Sequence, residues 1–131
     1  MDFLSRYSPQ LLSVLRVMAG LLVLQHGTAK YLGIPFIETM NNTSIKTMSG
    51  AAGVIELVCG ILVVIGLYTR PAAFLLSGMT AVAYFYSHAA SSFFPIINKG
   101  EQAALYCFVF LYLASAGGGM FSVDRFVREK D

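Results

Sequence analysis

The fold is decided by residues 50–68, GAAGVIELVCGILVVIGLY, in which Glu56 is the one charged side chain of an otherwise apolar run. A transmembrane helix needs about 20 predominantly apolar residues, and this segment has that length. Three further apolar segments of similar length occupy residues 10–31, 71–90 and 101–117. The sequence therefore predicts an all-α fold, an integral membrane bundle of four helices that forms a single domain.

The composition of the chain also indicates a membrane protein. Of its 131 residues, 56% are hydrophobic and 12% are charged, and nine Lys and Arg against seven Asp and Glu give a net charge of +2. An ordinary soluble domain is about 25% charged, so this chain has too few polar residues to cover a water-facing surface. This balance excludes a disordered chain and a nucleic-acid-binding protein, and we expect no separate soluble catalytic domain.

The connections between the predicted helices are polar or short. Residues 38–49 form a polar connection after the first helix. Thr69 to Pro71 joins the second and third helices as a tight antiparallel hairpin, with Thr69 as the cap of the third helix. Residues 121–131 form a charged amphipathic tail, whose apolar side chains can rest on the membrane surface.

The distribution of basic residues predicts the orientation in the membrane. With four spans, one side of the membrane carries five basic residues, which are Arg6, Arg70, Arg125, Arg128 and Lys130. The other side carries Lys30, Lys46 and Lys99. Because Lys and Arg are enriched at the cytoplasmic ends of membrane helices, we expect both termini in the cytoplasm. Arg16 lies in the inner half of the first helix, from which its long side chain can snorkel inward.

Glu56 is the strongest candidate for a functional group. A charge at the centre of a membrane helix costs about 2.5 to 3.5 kcal/mol on insertion scales, so such a residue needs a reason to be there. Ala52, Glu56 and Gly60 recur at four-residue intervals on the stripe where neighbouring helices come closest. The carboxylate is therefore predicted to face protein and not lipid.

Other polar side chains fall at similar depth in the outer half of the predicted bundle. Together they predict one pocket, formed by His26, Lys30, Glu56, His88 and Glu101 with Tyr84 and Tyr112 as aromatic walls. Such a pocket suits a quinone headgroup, because a His or Lys can hydrogen-bond a carbonyl oxygen and a buried carboxylate can exchange a proton. We assign proton exchange to Glu56 and His26 and quinone binding to the other five side chains.

A noncatalytic interpretation of the same residues stays open. Glu56 can pair with Lys30 or His26 simply to hold the helices together, while Lys30, His88 and Glu101 anchor helix ends at the membrane interface. In that case the protein is a membrane scaffold or a small-molecule carrier. A substitution that removes the carboxylate separates the two interpretations by its effects on quinone binding and on stability.

Haem and metal sites are weaker interpretations. His26 and His88 could ligate a haem iron, but two isolated histidines come with no attachment motif. The same histidines with Glu56 could form a metal site, although the sequence contains no ligand spacing typical of one. Cys59 and Cys107 lie in apolar stretches and are interpreted as buried filler, with a redox pair as the alternative. We therefore expect no metal.

A set of short motifs gives the sequence a family resemblance. In chain order these are Arg16 and Gly20, His26-Gly27-x-x-Lys30, Gly53-x-x-Glu56-x-x-x-Gly60, Gly66 with Thr69-Arg70, Asn98-x-Gly100-Glu101, and Ser122-x-Asp124. Each motif alone is weak, but their order and spacing over about residues 10–125 resemble the DoxX family of small four-helix membrane proteins. Related sequences often have Gly-Pro-Gly where this chain has residues 117–119 as three glycines.

The resemblance implies a bundle in the cytoplasmic membrane of a prokaryote that takes part in redox chemistry. Members of the family look like the small membrane subunits of thiosulfate:quinone oxidoreductase. His26, Lys30, Glu56 and Glu101 match the family's motif residues by position. Arg16, Arg70 and Asp124 match as well, and we assign them structural or lipid-anchoring roles. The expected function is a membrane subunit of a quinone-linked oxidoreductase system for thiols or sulfur compounds, which requires a partner subunit and leaves a homo-oligomer open.

Overall fold

The computed structural model describes residues 2–35 and 47–130, without the side chains of residues 128–130. Every regular element in these ranges is helical. The α-helices are α1 (Asp2–Ser5), α2 (Ser8–Tyr31), α3 (Met48–Ile65), α4 (Thr69–Ser87), α5 (Pro95–Asn98), α6 (Glu101–Ala116) and α7 (Val123–Lys130). A short 3-10 helix covers Ala89–Ser91. Most of the predicted connection at residues 38–49, including Lys46, lies outside the described residues, as does Asp131.

The ends of α3 differ from the predicted segment 50–68 for local reasons. The helix begins earlier because Thr47 acts as its N-cap, and its hydroxyl accepts a hydrogen bond from the Gly50 amide at 3.0 Å. It ends earlier because Gly66 adopts a left-handed conformation with φ 76°. The amide of Gly66 then donates to the carbonyl of Leu62 at 2.8 Å. Such a glycine is a common end signal for a helix.

The start of α4 shows that Thr69 is not the cap that the sequence predicts. Thr69 is the first helical residue, and its buried hydroxyl has no hydrogen-bond partner among the described residues. The carboxylate of Asp124 caps the helix instead, accepting from the amides of Tyr68 at 2.7 Å and Thr69 at 2.8 Å. A negative charge at this position is favourable because a helix N-terminus carries partial positive charge.

The long helices pack as two pairs. α2 lies along α3, α4 lies along α6, and α3 contacts α4 to join the pairs. Glycines bring α2 and α3 close together: a Cβ placed on Gly27 would lie 2.9 Å from Cγ of Leu57, and one on Gly60 would lie 3.2 Å from Cα of Leu24. Val63, Leu76, Phe110 and Leu113 have no exposed surface and form the shared core.

The outer surface of the described chain is strongly apolar. α2 and α3 are long and apolar enough to cross a membrane, and α6 is apolar but shorter. Large apolar side chains on α4 and α6 are also exposed, including Phe85 at 72% and Phe108 at 68%. Soluble monomers seldom expose apolar patches on this scale. The surface is therefore that of a protein whose helices face lipid or other apolar partners.

Candidate functional site

Lys30 and Glu56 form a buried ion pair between α2 and α3. The ammonium Nζ of Lys30 donates to Oε1 of Glu56 at 2.9 Å, and the two side chains are only 10% and 8% exposed. Nζ also donates to the carbonyl of Ser49 at 3.1 Å. Glu56 thus lies inside the bundle, as its spacing with Ala52 and Gly60 predicts. The sequence predicts Lys30 or His26 as the partner of Glu56, and the structure pairs it with Lys30.

Gly53 makes the room that this pair needs. A Cβ at position 53 would lie 3.0 Å from Cδ of Lys30 and 2.7 Å from Cε2 of Tyr31. Without that Cβ, the end of α2 can lie directly across α3. The Tyr31 hydroxyl then donates to the carbonyl of Gly50 at 2.6 Å. Tyr31 was not among the predicted site residues, since a tyrosine at a helix end resembles an ordinary interfacial aromatic.

A large apolar groove lies beside the ion pair. Its volume is about 530 Å³, and α3 and α4 form its walls. Met48 and Ile55 contribute from α3, Met79 and Val82 contribute from α4, and Lys30 lines the same groove. Glu56 does not line the groove. A molecule in the groove would therefore contact the ammonium group of Lys30, and only through that group would it interact with the carboxylate of Glu56.

His26 lies one helical turn before Lys30 and is partly exposed. Its imidazole ring makes no hydrogen bond or ion pair with any residue in the ranges 2–35 and 47–130. The i, i+4 spacing places His26 and Lys30 as neighbours on the surface of α2. The imidazole is therefore near the ion pair along the chain without being bonded to it.

His88 and Tyr84 belong to a second polar cluster, organised by Asn98. The Asn98 side chain is buried, and its amide donates to Oη of Tyr84 at 3.1 Å and to the carbonyl of Ser92 at 3.0 Å. Its oxygen accepts from the amide of Gly100 at 2.8 Å, and its backbone carbonyl lies 3.0 Å from Nδ1 of His88. The sequence offers Asn98 only as part of the Asn98-x-Gly100-Glu101 motif, without a predicted role for its side chain.

The predicted residues are thus distributed over separate places. Lys30 pairs with Glu56, and the rings of Tyr84 and His88 lie 6.5 Å apart between centroids. No hydrogen bond among the described residues joins these two groups. Glu101 is exposed in the first turn of α6, and Tyr112 is 56% exposed on the same helix. The structure does not bring the seven side chains into one pocket, because the helices pack as two pairs instead of around one central stripe.

Arg16 forms a buried polar junction at the other end of the bundle. The residue is 2% exposed, and its guanidinium donates to the carbonyls of Gly118, Val64 at 3.3 Å and Phe121 at 2.8 Å. Ser13 supports the junction by donating to the Gly118 carbonyl at 3.1 Å and accepting from the Phe121 amide at 2.9 Å. The side chain does not snorkel to the surface as the sequence suggested, because backbone carbonyls surround it inside the protein.

Arg70 and Asp124 connect the same end of the bundle. Arg70 donates to the carbonyl of Ser115 in the last turn of α6, and Asp124 caps α4. A cavity of about 470 Å³ opens between Arg70 and the glycine run at residues 117–119. The hydrogen bonds of Arg16, Arg70 and Asp124 all join the helices to the end of α6 or to the segment after it.

The sequence matches the family model described as DoxX over residues 11–89. That range covers α2 from Leu11 onward together with α3 and α4, and therefore both members of the Lys30–Glu56 pair. The chain belongs to the DoxX family. DoxX proteins are membrane-associated and are linked to subunits of oxidoreductases. The apolar helices α2 and α3 agree with a membrane protein of this family.

A relative of similar length occurs in Haemophilus influenzae (strain ATCC 51907 / DSM 11121 / KW20 / Rd). It is described as an uncharacterized protein and is 44% identical over 129 residues, which cover 95% of this chain and 96% of the relative. No solved structure matches the chain.

Proposed function

We propose that this DoxX protein is a membrane subunit of a quinone-linked oxidoreductase system for thiols or sulfur compounds. In this proposal α2, α3, α4 and α6 all cross the cytoplasmic membrane of a prokaryote, and both termini lie in the cytoplasm. The observation that carries the proposal is the buried Lys30–Glu56 pair at the edge of an apolar groove. The sulfur chemistry rests on the likeness of the family to the small subunits of thiosulfate:quinone oxidoreductase.

The hydrogen-bonding capacity of Lys30 supports a ligand with a carbonyl group. An ammonium group has three donors. Glu56 and the carbonyl of Ser49 accept two hydrogen bonds from Nζ, which leaves one donor. Because Lys30 lines the groove, that donor can serve a neutral acceptor such as a quinone carbonyl oxygen. The surrounding groove is apolar, as ligand pockets with a few placed polar groups usually are.

Proton exchange is the second role of the pair. Reduction of a bound quinone takes up two electrons and two protons. In the proposal Lys30 donates one proton to the carbonyl oxygen that it contacts, and the carboxylate of Glu56, 2.9 Å away, then takes up a proton and passes it to the neutral amine, which restores the ammonium. The second proton reaches the other carbonyl oxygen from the surrounding water. His26, one turn away on α2, exchanges protons with the surroundings. The electrons come from a partner subunit that oxidises the thiol or sulfur compound, so the chain is not catalytic alone.

A scaffold or carrier role is the second candidate, and a specific observation favours it. Glu56 does not line the groove, and the pair already satisfies both charges at 2.9 Å. In this alternative the pair holds α2 against α3 and no proton moves. Breaking a buried pair by removing one partner costs about 3 to 5 kcal/mol, whereas replacing both partners with apolar side chains is often neutral.

That asymmetry separates the two functions experimentally. The variants are Glu56→Gln, Lys30→Met, and the double variant Lys30→Met with Glu56→Leu. Thermal unfolding in detergent is followed by circular dichroism, and binding of a quinone without an isoprenoid tail is measured by titration on the same samples. We expect the double variant to recover the stability of the wild type and to bind no quinone. Quinone binding by the stable double variant would establish the scaffold role instead.

The partner subunit is tested by copurification. The tagged chain is isolated from native membranes in mild detergent, and its associated proteins are identified by mass spectrometry. Recovery of a flavin- or thiol-dependent oxidoreductase subunit supports the proposal. Reduction of added quinone by the copurified complex in the presence of thiosulfate or a thiol, and its loss in Glu56→Gln, would connect the pair to the reaction. A preparation that contains the chain alone, as a monomer or homo-oligomer, contradicts the need for a partner.

A further inference from the structure

The groove between α3 and α4 contains space that the protein does not fill. A Cβ placed on Gly78 of α4 would meet no atom within 4 Å. Gly27 and Gly60, by contrast, are glycines because a Cβ would press on the neighbouring helix at 2.9 Å and 3.2 Å. A glycine within a helix is destabilising by about 0.5 to 1 kcal/mol relative to alanine. Gly78 is exposed and lines the groove, so helix packing does not account for this glycine.

The groove is long and has one polar end. On α4 its lining extends from Phe74 to Ser87, which spans about 20 Å at the helical rise per residue. Its polar side chains are Lys30, Ser49, Tyr86 and Ser87. Ser49 is in the first turn of α3, Tyr86 and Ser87 are the last two residues of α4, and Lys30 donates to the carbonyl of Ser49, so all four lie at the same end. The rest of the lining is apolar.

The charge at the polar end selects the kind of molecule that fits. Lys30 is the cation of the groove, and Glu56 neutralises it at 2.9 Å. An anionic phospholipid headgroup would bring a second negative charge next to this carboxylate. A neutral headgroup that accepts a hydrogen bond needs only the remaining donor of the ammonium. A long apolar tail attached to that headgroup would then extend along Gly78 toward Phe74.

We infer that the groove binds the isoprenoid tail of a quinone and that Gly78 determines whether a tailed quinone can enter. This inference rests on the proposed function, since it assumes that the headgroup lies at Lys30 and Glu56. The tail packs along the wall formed by Met79 and Val82, with the small surface of Gly78 beneath it. The site therefore distinguishes tailed from tailless quinones by space along the groove and not by contacts at the headgroup.

The test compares two quinones with the same ring, one with a polyisoprenoid tail and one with a methyl group in its place. Both are titrated at equal mole fraction in detergent micelles against the wild type, Gly78→Ala and Gly78→Leu. Val58→Phe is the matched control, because Val58 is 54% exposed on α3 and does not line the groove. Circular dichroism verifies that each variant retains its helices.

We expect Gly78→Leu to weaken binding of the tailed quinone about tenfold, equivalent to about 1.4 kcal/mol, and to leave the tailless quinone unchanged. Gly78→Ala should have a small effect, and Val58→Phe none. Unchanged binding of the tailed quinone by Gly78→Leu overturns the inference, while the proposed function survives if the Lys30 and Glu56 double variant still binds neither quinone. If the wild type binds neither quinone, the proposed function fails together with the inference.

A photoactivatable group at the end of the tail gives an independent measurement. We expect it to label residues near Phe74 in the wild type and to lose that labelling in Gly78→Leu. Labelling outside α3 and α4 contradicts the inference. A phospholipid that copurifies with the wild type and is displaced from Gly78→Leu also contradicts the inference if that substitution leaves quinone binding unaffected.

Discussion

Replacing Arg16 with methionine should destabilise the bundle strongly without touching the Lys30–Glu56 pair. The guanidinium is buried and donates to the carbonyls of Gly118, Val64 and Phe121. One of these carbonyls lies at the end of α3 and two lie in the segment after α6, so the guanidinium joins two distant parts of the chain. Methionine is of similar length and apolar, so it fills the space but donates no hydrogen bond.

The magnitude follows from the acceptors that are left behind. The Gly118 carbonyl keeps the hydrogen bond from Ser13, but the carbonyls of Val64 and Phe121 lose their donor. A buried polar group left unsatisfied costs about 1 to 3 kcal/mol, and because the hydrogen bonds to Val64 and Phe121 are part-buried, the two carbonyls together cost up to about 6 kcal/mol. Removal of a desolvated cation offsets part of this cost. We expect Arg16→Met to lower the free energy of unfolding by about 2 to 4 kcal/mol.

Unfolding in mixed micelles with increasing dodecyl sulfate, followed by far-ultraviolet circular dichroism, measures this change. Arg16→Lys should fall between the wild type and Arg16→Met, because one ammonium cannot reproduce the planar fork of a guanidinium. Arg70→Met is the matched control, since Arg70 is exposed and donates only to Ser115 in the described contacts. Its expected loss is below about 1 kcal/mol. Equal losses for Arg16→Met and Arg70→Met would refute the structural role assigned to the buried junction.

Three further predictions, which use four substitutions, test the fold and the groove. Asp124→Ala removes the cap of α4 and should lower stability by about 0.5 to 2 kcal/mol. Amide hydrogen exchange should become faster only at the start of that helix, and uniformly faster exchange along α4 would contradict the cap. Gly78→Ala should leave the packing intact and raise stability by up to about 1 kcal/mol. Gly27→Ala should lower stability by about 1 to 3 kcal/mol, because the added Cβ meets Leu57. Equal shifts in unfolding temperature would show that the two glycines have the same environment. Asn98→Leu removes donors and an acceptor at the start of α6 and should lower stability by about 1 to 3 kcal/mol. Chemical shifts near Lys30 and Glu56 should stay unchanged, because the two polar clusters are separate.

Several features of this protein follow from the order of its residues. The apolar segments predict helices, and Glu56 with Ala52 and Gly60 predicts a carboxylate inside the bundle, where it lies 2.9 Å from Lys30. The motif order predicts the DoxX family, which the match over residues 11–89 confirms. These predictions succeed because hydrophobic period and intrahelical spacing are properties of a single helix and are readable along the chain.

The contacts between distant segments came only from the tertiary structure. Asp124 caps α4, the Asn98 side chain hydrogen-bonds Tyr84, and backbone carbonyls surround Arg16. These contacts are not readable along the chain, because each partner lies many residues away or in the backbone. The helical period gives each side chain an angle about its own axis, but it does not give the rotation of one helix against the next. Glycine contacts such as those at Gly27 set that rotation and pair the helices. The sequence by itself therefore determined the helices and the buried carboxylate, whereas packing decided that Lys30 is its partner and that a groove opens beside it.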